Sequence, residues 1–264
     1  MHSKMTRTAL ALVLLHCSAQ ASIFVVAISK DGIVAVADSR FAFTDADNPT
    51  GQPVAYADGL NKIIRFDSAV IAETGQGFVA NERFDQFVQR FAKSAGPLPA
   101  DEILPALLEY GVKTLPPEGI EVLSRQHMAA AKFKGGKPMI CGFDGHDDAP
   151  CIGEGFIQSS PTDFDQFRRR LGAMLALDVA EAARASMQRY ITARGKNATM
   201  GGEFSAALVT PSGVRELWAL KNPIPARSVD ELIALVLARK IQVTLVPPAK
   251  WADLQELLDS GPAR

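Results

Sequence analysis

Excess basic charge, histidine and cysteine are all scarce in this chain. Lys and Arg number 28 against 29 Asp and Glu, giving a formal net charge of -1 over 264 residues. With no basic run, that balance excludes a phosphate-gripping nucleic-acid surface, and nucleic acid is not an expected partner. There are four histidines and three cysteines. His2, His16 and Cys17 fall within the first 21 residues, so His127, His146, Cys141 and Cys151 remain beyond them. Two histidines without a cysteine or carboxylate cluster at ligand spacing do not make a zinc site, and no metal or cofactor is expected. After residue 21 no apolar stretch reaches the roughly 18 to 20 residues needed to cross a bilayer. Internal repeats and low-complexity segments are missing too. The rest is ordinary globular composition, 47% hydrophobic and 22% charged. It suits one domain over residues 22–264 with a substantial core.

The first 21 residues stand apart. Lys4 and Arg7 form a positive start, Ala9 to Leu15 is unbroken apolar sequence, and Ala19-Gln20-Ala21 offers small residues before a cut. That is the pattern of a secretory signal, and its apolar run is too short for a membrane anchor. A frayed N-terminal helix is the plain alternative. A lipoprotein cut before Cys17 is disfavoured, because bulky Leu15 and His16 stand where small residues are needed. The expectation is an exported protein, periplasmic or secreted, that begins at Ser22 and meets no membrane after trimming. Trimming removes two bases and no acids, so the remainder is mildly acidic. In an oxidising compartment Cys141 and Cys151, flanking the turn-rich GHDDAP, fit either a stapled hairpin or two buried thiols.

SIFVVAIS (22–29) and GIVAVADS (32–39) predict short strands covered on both faces. Residues 41–59, rich in Asp, Asn, Pro and Gly, predict a surface loop. NKIIRFDSAVIAETGQG gives two further strands around Asp67-Ser68. Helices are predicted over 79–94 and 101–114, with Pro105 kinking the second or shifting its start. Strands return at 120–134, 137–143 and 151–157. Residues 163–194 predict two helices meeting near Leu177-Asp178. FSAALVT and VRELWAL form a hairpin after Gly201-Gly202, and a helix is expected around 229–240. Strands at both ends with helices between them predict a two-sheet α+β layer fold.

A signal cut that runs straight into a core strand needs a reason, and the hairpin supplies one. A three-residue connection, with Lys30-Asp31 in a type I turn and Gly32 left-handed, pairs Ser29 with Ile33 and Ser22 with Arg40. Alternation then places Ser22, Asp38 and Arg40 on one face, with Asp38 a diagonal neighbour of Ser22 at roughly 7 to 8 Å. Cleavage after Ala21 frees the Ser22 α-amine, which titrates at about 7.7 to 8.0 and accepts a proton from its own hydroxyl near neutral pH. One residue then carries both nucleophile and base.

These residues also carry a resemblance. SIFVVAISKDGIVAVADSR resembles the opening of proteasome β-type N-terminal-nucleophile hydrolases, in which a threonine starts the mature chain and DG, then AADSR, follow. Ser22 stands for the threonine, and Asp38-Ser39-Arg40 match in place. Asn61-Lys62-Ile63 is similar to the family's lysine-bearing strand, and Thr74-Gly75 to its oxyanion segment. Met139 to Asp144 resembles the central strand, and Gly201-Gly202 a late glycine pair. The likeness thins across residues 22–220. It implies a four-layer αββα sandwich with Ser22 as nucleophile and Lys62, held by Asp38, lowering the pKa of the hydroxyl. It further implies that the Gly75 N–H stabilises the oxyanion and that Arg40 gives structural support. Asn197 and Met200 depart from the family, standing where an aspartate and a serine support the amine.

The activity implied is hydrolysis of amide bonds through an acyl-enzyme by an exported bacterial relative. Peptides or unfolded chains are the expected substrates, and a homo-oligomer is the expected partner if rings form. A small-molecule amidase or acylase using the same groups is one alternative. A catalytically inactive, proteasome-α-like assembly module is the other.

Overall fold

The computed structural model describes residues 22–44, 53–145, 148–195 and 200–259. The predicted signal segment, His146 and Asn197 lie outside them. The apolar opening folds as β1 (Phe24–Ser29) and β2 (Gly32–Asp38), buried along their whole length. The turn between them is two residues long, so Ser29 pairs with Gly32 rather than with Ile33. Gly32 serves close approach instead of a left-handed turn. A Cβ there would lie 2.4 Å from the Val209 carbonyl oxygen of the neighbouring strand.

The predicted surface loop instead contributes β3 (Arg40–Thr44) and β4 (Pro53–Asp58). β5 (Ile63–Phe66) and β6 (Ala69–Thr74) follow as expected, then a small ribbon of β7 (Phe78–Val79) and β8 (Glu82–Arg83). That ribbon delays helix α1 to Phe84–Ala95. α2 (Ala100–Thr114) runs through the exposed Pro105 without ending. Residues expected to begin a strand form α3 (Pro117–Ser124), where Pro117 at the first turn has no helical N–H to lose. β9 (His127–Lys134), β10 (Lys137–Phe143), β11 (Asp148–Ile152) and β12 (Phe156–Gln158) come next. A 3₁₀ helix (Asp163–Ala173) and α4 (Ala176–Arg194) meet at Met174-Leu175, just before the predicted junction. The predicted hairpin is β13 (Phe204–Thr210) and β14 (Gly213–Trp218). α5 (Val229–Leu237), β15 (Val243–Leu245) and α6 (Trp251–Asp259) complete the described chain. No helix among the described residues is long and apolar enough to cross a membrane.

The fold is mixed α+β with several antiparallel sheets. Two have five strands, in the orders β12-β1-β2-β13-β14 and β11-β10-β9-β6-β5, and a third has the order β15-β4-β3. Phe24, Val26, Ile33 and Ala35 of the first sheet share a core with Ile63, Val70, Ala129 and Ile140 of the second. Ile23, Val25, Val34 and Val36 pack against α4 and the 3₁₀ helix. Ile64, Ile71 and Met128 pack against α1 and α2 through Phe84, Phe87, Phe91 and Leu107. Burial on both faces explains the near-continuous apolar strands. The third sheet has its own core, where Phe43, Ala55 and Ala57 meet Leu232, Val236 and Leu254 of α5 and α6.

Of the two cysteine readings, the staple is the one that forms. Cys141 of β10 is bonded to Cys151 of β11. β11 belongs to the second sheet and β12, three residues on, pairs with β1 of the first, so the bond pins the strand that passes between sheets. Replacing both cysteines by serine is expected to cost about 2 to 4 kcal/mol through the freed loop. The check is a urea titration of both proteins. Coincident midpoints would show that the cross-link adds nothing.

Candidate active site

Where β2 ends, the chain changes sheets, and that break builds the site. Asp38 is the last residue of β2, Ser39 gives its N–H to the Gly201 carbonyl at 3.2 Å, and Arg40 opens β3 in the third sheet. In the observed register Asp38 lies opposite Ile23, its N–H donating to the Ile23 carbonyl at 3.1 Å. The expected pairing of Ser22 with Arg40 therefore does not form, and alternation assigns Ser22 and Asp38 to opposite faces. They are brought together regardless, because alternation stops mattering once a strand has ended. Asp38 turns its carboxylate across the end of the sheet, where Oδ1 accepts the Ile23 N–H at 3.1 Å and Oδ2 the Gly201 N–H at 2.7 Å.

Lys62 closes the cluster. Its Nζ donates to Ser22 Oγ, to Asp38 Oδ1 at 2.9 Å and to the Arg40 carbonyl at 2.7 Å. An ammonium has three donors, and all three are used here. Lys62 is 1% exposed, Asp38 0% and Ser22 2%. Burial raises the Asp38 carboxyl above the usual aspartate range, while the Lys62 charge and the Gly201 and Ile23 N–H groups pull it back down. A hydroxyl held against a buried ammonium has its oxyanion form favoured, which makes it a better nucleophile.

The other predicted residues take distinct places. The Arg40 guanidinium stacks on Tyr56 at 3.6 Å, pairs with Asp58 through two bonds of 2.9 and 3.2 Å, and reaches the Met200 carbonyl at 3.3 Å. Its support thus runs to Asp58 and to the segment that carries Gly201. Gly201 has a φ of +141°, and a Cβ there would lie 2.9 Å from the Arg40 guanidinium carbon. The late glycine pair therefore lets the chain close on Asp38. Met200 packs its side chain into the core beneath α4. Gly75 follows β6 with a φ of +137°, and the Gln126 amide fills the space its missing Cβ would need. It stands two residues beyond Glu73, whose N–H donates to the Lys62 carbonyl at 3.0 Å, so Gly75 lies at the same end of the sheet as the cluster.

Several neighbours escaped the sequence reading. Ser159 Oγ accepts the Phe24 N–H at 3.0 Å, and the Ser159 N–H donates to the Phe24 carbonyl at 3.2 Å, fixing the strand that carries Ser22. Gln126 Nε2 donates to the Gln76 carbonyl at 2.8 Å, holding the Gly75 turn. Glu73 is 1% exposed and directly beside Lys62 in the strand ladder. Only Glu73 left a signal in the sequence, a single carboxyl in the apolar run AVIAET. Thr74 Oγ1, Gln76 Oε1 and Gln126 Oε1 have no hydrogen-bond partner among the described residues, so buried polar atoms gather around Gly75. Arg40, Asp58 and Gly202 also line a cleft of about 980 Å³ beneath the segment 221–225.

The cluster is thus a buried hydroxyl, ammonium and carboxylate in contact, with a glycine turn at the same sheet end. Compared with known protein families and with curated proteins, the chain matches none.

Proposed function

We propose that this chain is an exported N-terminal-serine hydrolase of the proteasome β type, cleaving amide bonds through an acyl-enzyme. One observation carries the reading. The residue that a signal cut would make first, Ser22, has its hydroxyl on the Nζ of a buried lysine that also binds Asp38. Support for the αββα sandwich comes from the core shared by the two five-stranded sheets and from the helices packed on their other faces.

In this reading the freed α-amine takes the Ser22 Oγ proton as Oγ bonds to the substrate carbonyl carbon. The Gly75 N–H faces the oxyanion, and Lys62 lowers the cost of charge on Oγ. The carbon–nitrogen bond breaks as the α-ammonium passes its proton to the leaving amine. Water, deprotonated by the same amine, then attacks the ester and restores Ser22. Short peptides or already unfolded chains fit an enzyme working outside the cytoplasm, where no ATP-driven unfoldase feeds it. The buried Lys62 contact on Ser22 favours this reading over an inactive assembly module, which has no use for a desolvated ammonium on a hydroxyl.

The test is to express the full chain with export, sequence the N-terminus of the mature protein and treat it with a β-lactone. Attack by Ser22 Oγ opens the lactone ring to an ester, adding the whole probe mass. The expected result is a chain beginning at Ser22 with one adduct on that residue, lost in Ser22→Ala. A different first residue, or an adduct that persists in Ser22→Ala, overturns the proposal.

A further inference from the structure

Glu73 has no part in the chemistry above, yet it stands across the strand ladder from Lys62. Its N–H donates to the Lys62 carbonyl at 3.0 Å, immediately before Ile63 pairs with Ala72 in β5 and β6. The two residues are thus backbone neighbours, and the Lys62 charge acts on the Glu73 carboxyl. Glu73 is 1% exposed, and its Oε2 has no hydrogen-bond partner among the described residues. A buried carboxylate without partners is costly, whereas the neutral acid is far less so.

The charges around it do not remove that cost. Lys62 favours ionisation, but Asp38 and Asp85 oppose it. Lys62 is already balanced by Asp38 at 2.9 Å. Asp85, at the start of α1, is held by Arg83 through bonds of 2.6 and 2.8 Å. Across the sheet on β9 the residue opposite is Met128, which brings no charge.

We propose that Glu73 is a positioning residue of the Ser22 centre, acting through Lys62. This rests on the reading of Ser22 as nucleophile. Protonated, Glu73 leaves the Lys62–Asp38 pair balanced, and the ammonium acts on the Ser22 hydroxyl. Ionised, it adds a second buried negative charge beside Lys62, which opposes a third on Oγ and draws Nζ away from the hydroxyl. Burial pushes the Glu73 carboxyl up to about 8, so the change falls in mildly alkaline solution. Free α-amine increases through about 7.7 to 8.0 over the same range. The acylation rate should therefore rise and then fall with pH, the falling limb belonging to Glu73.

The experiment follows adduct formation on Ser22 by intact mass, using the exported, trimmed protein and a β-lactone corrected for its own hydrolysis. Rates are taken between about pH 6 and pH 9.5 for the wild type, Glu73→Gln and Glu73→Asp. The wild-type rate should drop about tenfold per pH unit beyond the Glu73 transition. Glu73→Gln, which cannot ionise, should hold its rate there, while Glu73→Asp should keep an alkaline decline. A merely structural role would scale the rate equally at every pH and leave the shape alone. Superimposable profiles for wild type and Glu73→Gln overturn the role of Glu73 while leaving the nucleophile in place. No adduct on wild-type Ser22 at any pH overturns the underlying reading instead.

Discussion

Lys62→Met is expected to leave Ser22 unlabelled by electrophiles and to destabilise the protein by about 3 to 5 kcal/mol. That range is usual when one partner of a buried ion pair is removed. Asp38 and Lys62 are 0% and 1% exposed and 2.9 Å apart. Without the ammonium, the Asp38 carboxylate keeps the Gly201 and Ile23 N–H donors but no compensating cation. Adding Asp38→Asn removes the stranded charge, so the double variant should regain part of the lost stability and none of the reactivity. The measurement is a double-mutant cycle by urea denaturation. Energies that add to within about 0.5 kcal/mol would show that the two side chains do not act as a pair.

Glu73→Gln should be stabilising in a pH-dependent way. The folded carboxyl titrates at about 8 against an ordinary value of 4.5. Between those values the unfolded chain has released a proton that the folded chain retains. Wild-type stability therefore falls as pH rises above about 4.5 and levels off beyond about 8, a loss of up to about 4 to 5 kcal/mol. A glutamine has no proton to release and escapes this loss. The gap between variant and wild type should widen across that window in denaturation series at about pH 5 and pH 8. A gap that stays constant would mean that Glu73 ionises as an ordinary glutamate, and the alkaline control proposed for it would go too.

Much of this centre is legible in the linear chain because its members sit at breaks in otherwise apolar strands. Ser22, Asp38 and Lys62 each border a run of buried residues, and a polar group at the end of such a run has few places to go except the end of the sheet. Gly75 and the pair Gly201-Gly202 are visible for the same reason. The Cys141–Cys151 staple was open from spacing alone, since a separation of ten positions suits a hairpin bond and two separate thiols equally.

The errors have a common origin in contacts distant along the chain. Lys30-Asp31-Gly32 reads as a three-residue turn, yet the tight approach of Gly32 to Val209 selects a two-residue one. Nothing within the hairpin reports the strand that passes beside it. Residues 41–59 look like a loop because their composition is polar, but α5 and α6, almost two hundred positions later, supply the core that makes β3 and β4 strands. Residues 120–124, read as the start of a strand, instead end a helix that Pro117 opens.

What the sequence by itself determined is where polar side chains interrupt apolar strands, since burial of those strands leaves each interruption confined to a strand end. Tertiary structure alone decided that Asp38 folds back to Ile23 and Gly201, that Lys62 spends all three donors, and that Glu73 lies unpaired beside it. Hydrogen bonds and charge effects act over a few ångströms between residues from about ten to more than a hundred positions apart, a distance that only the packed sheets define.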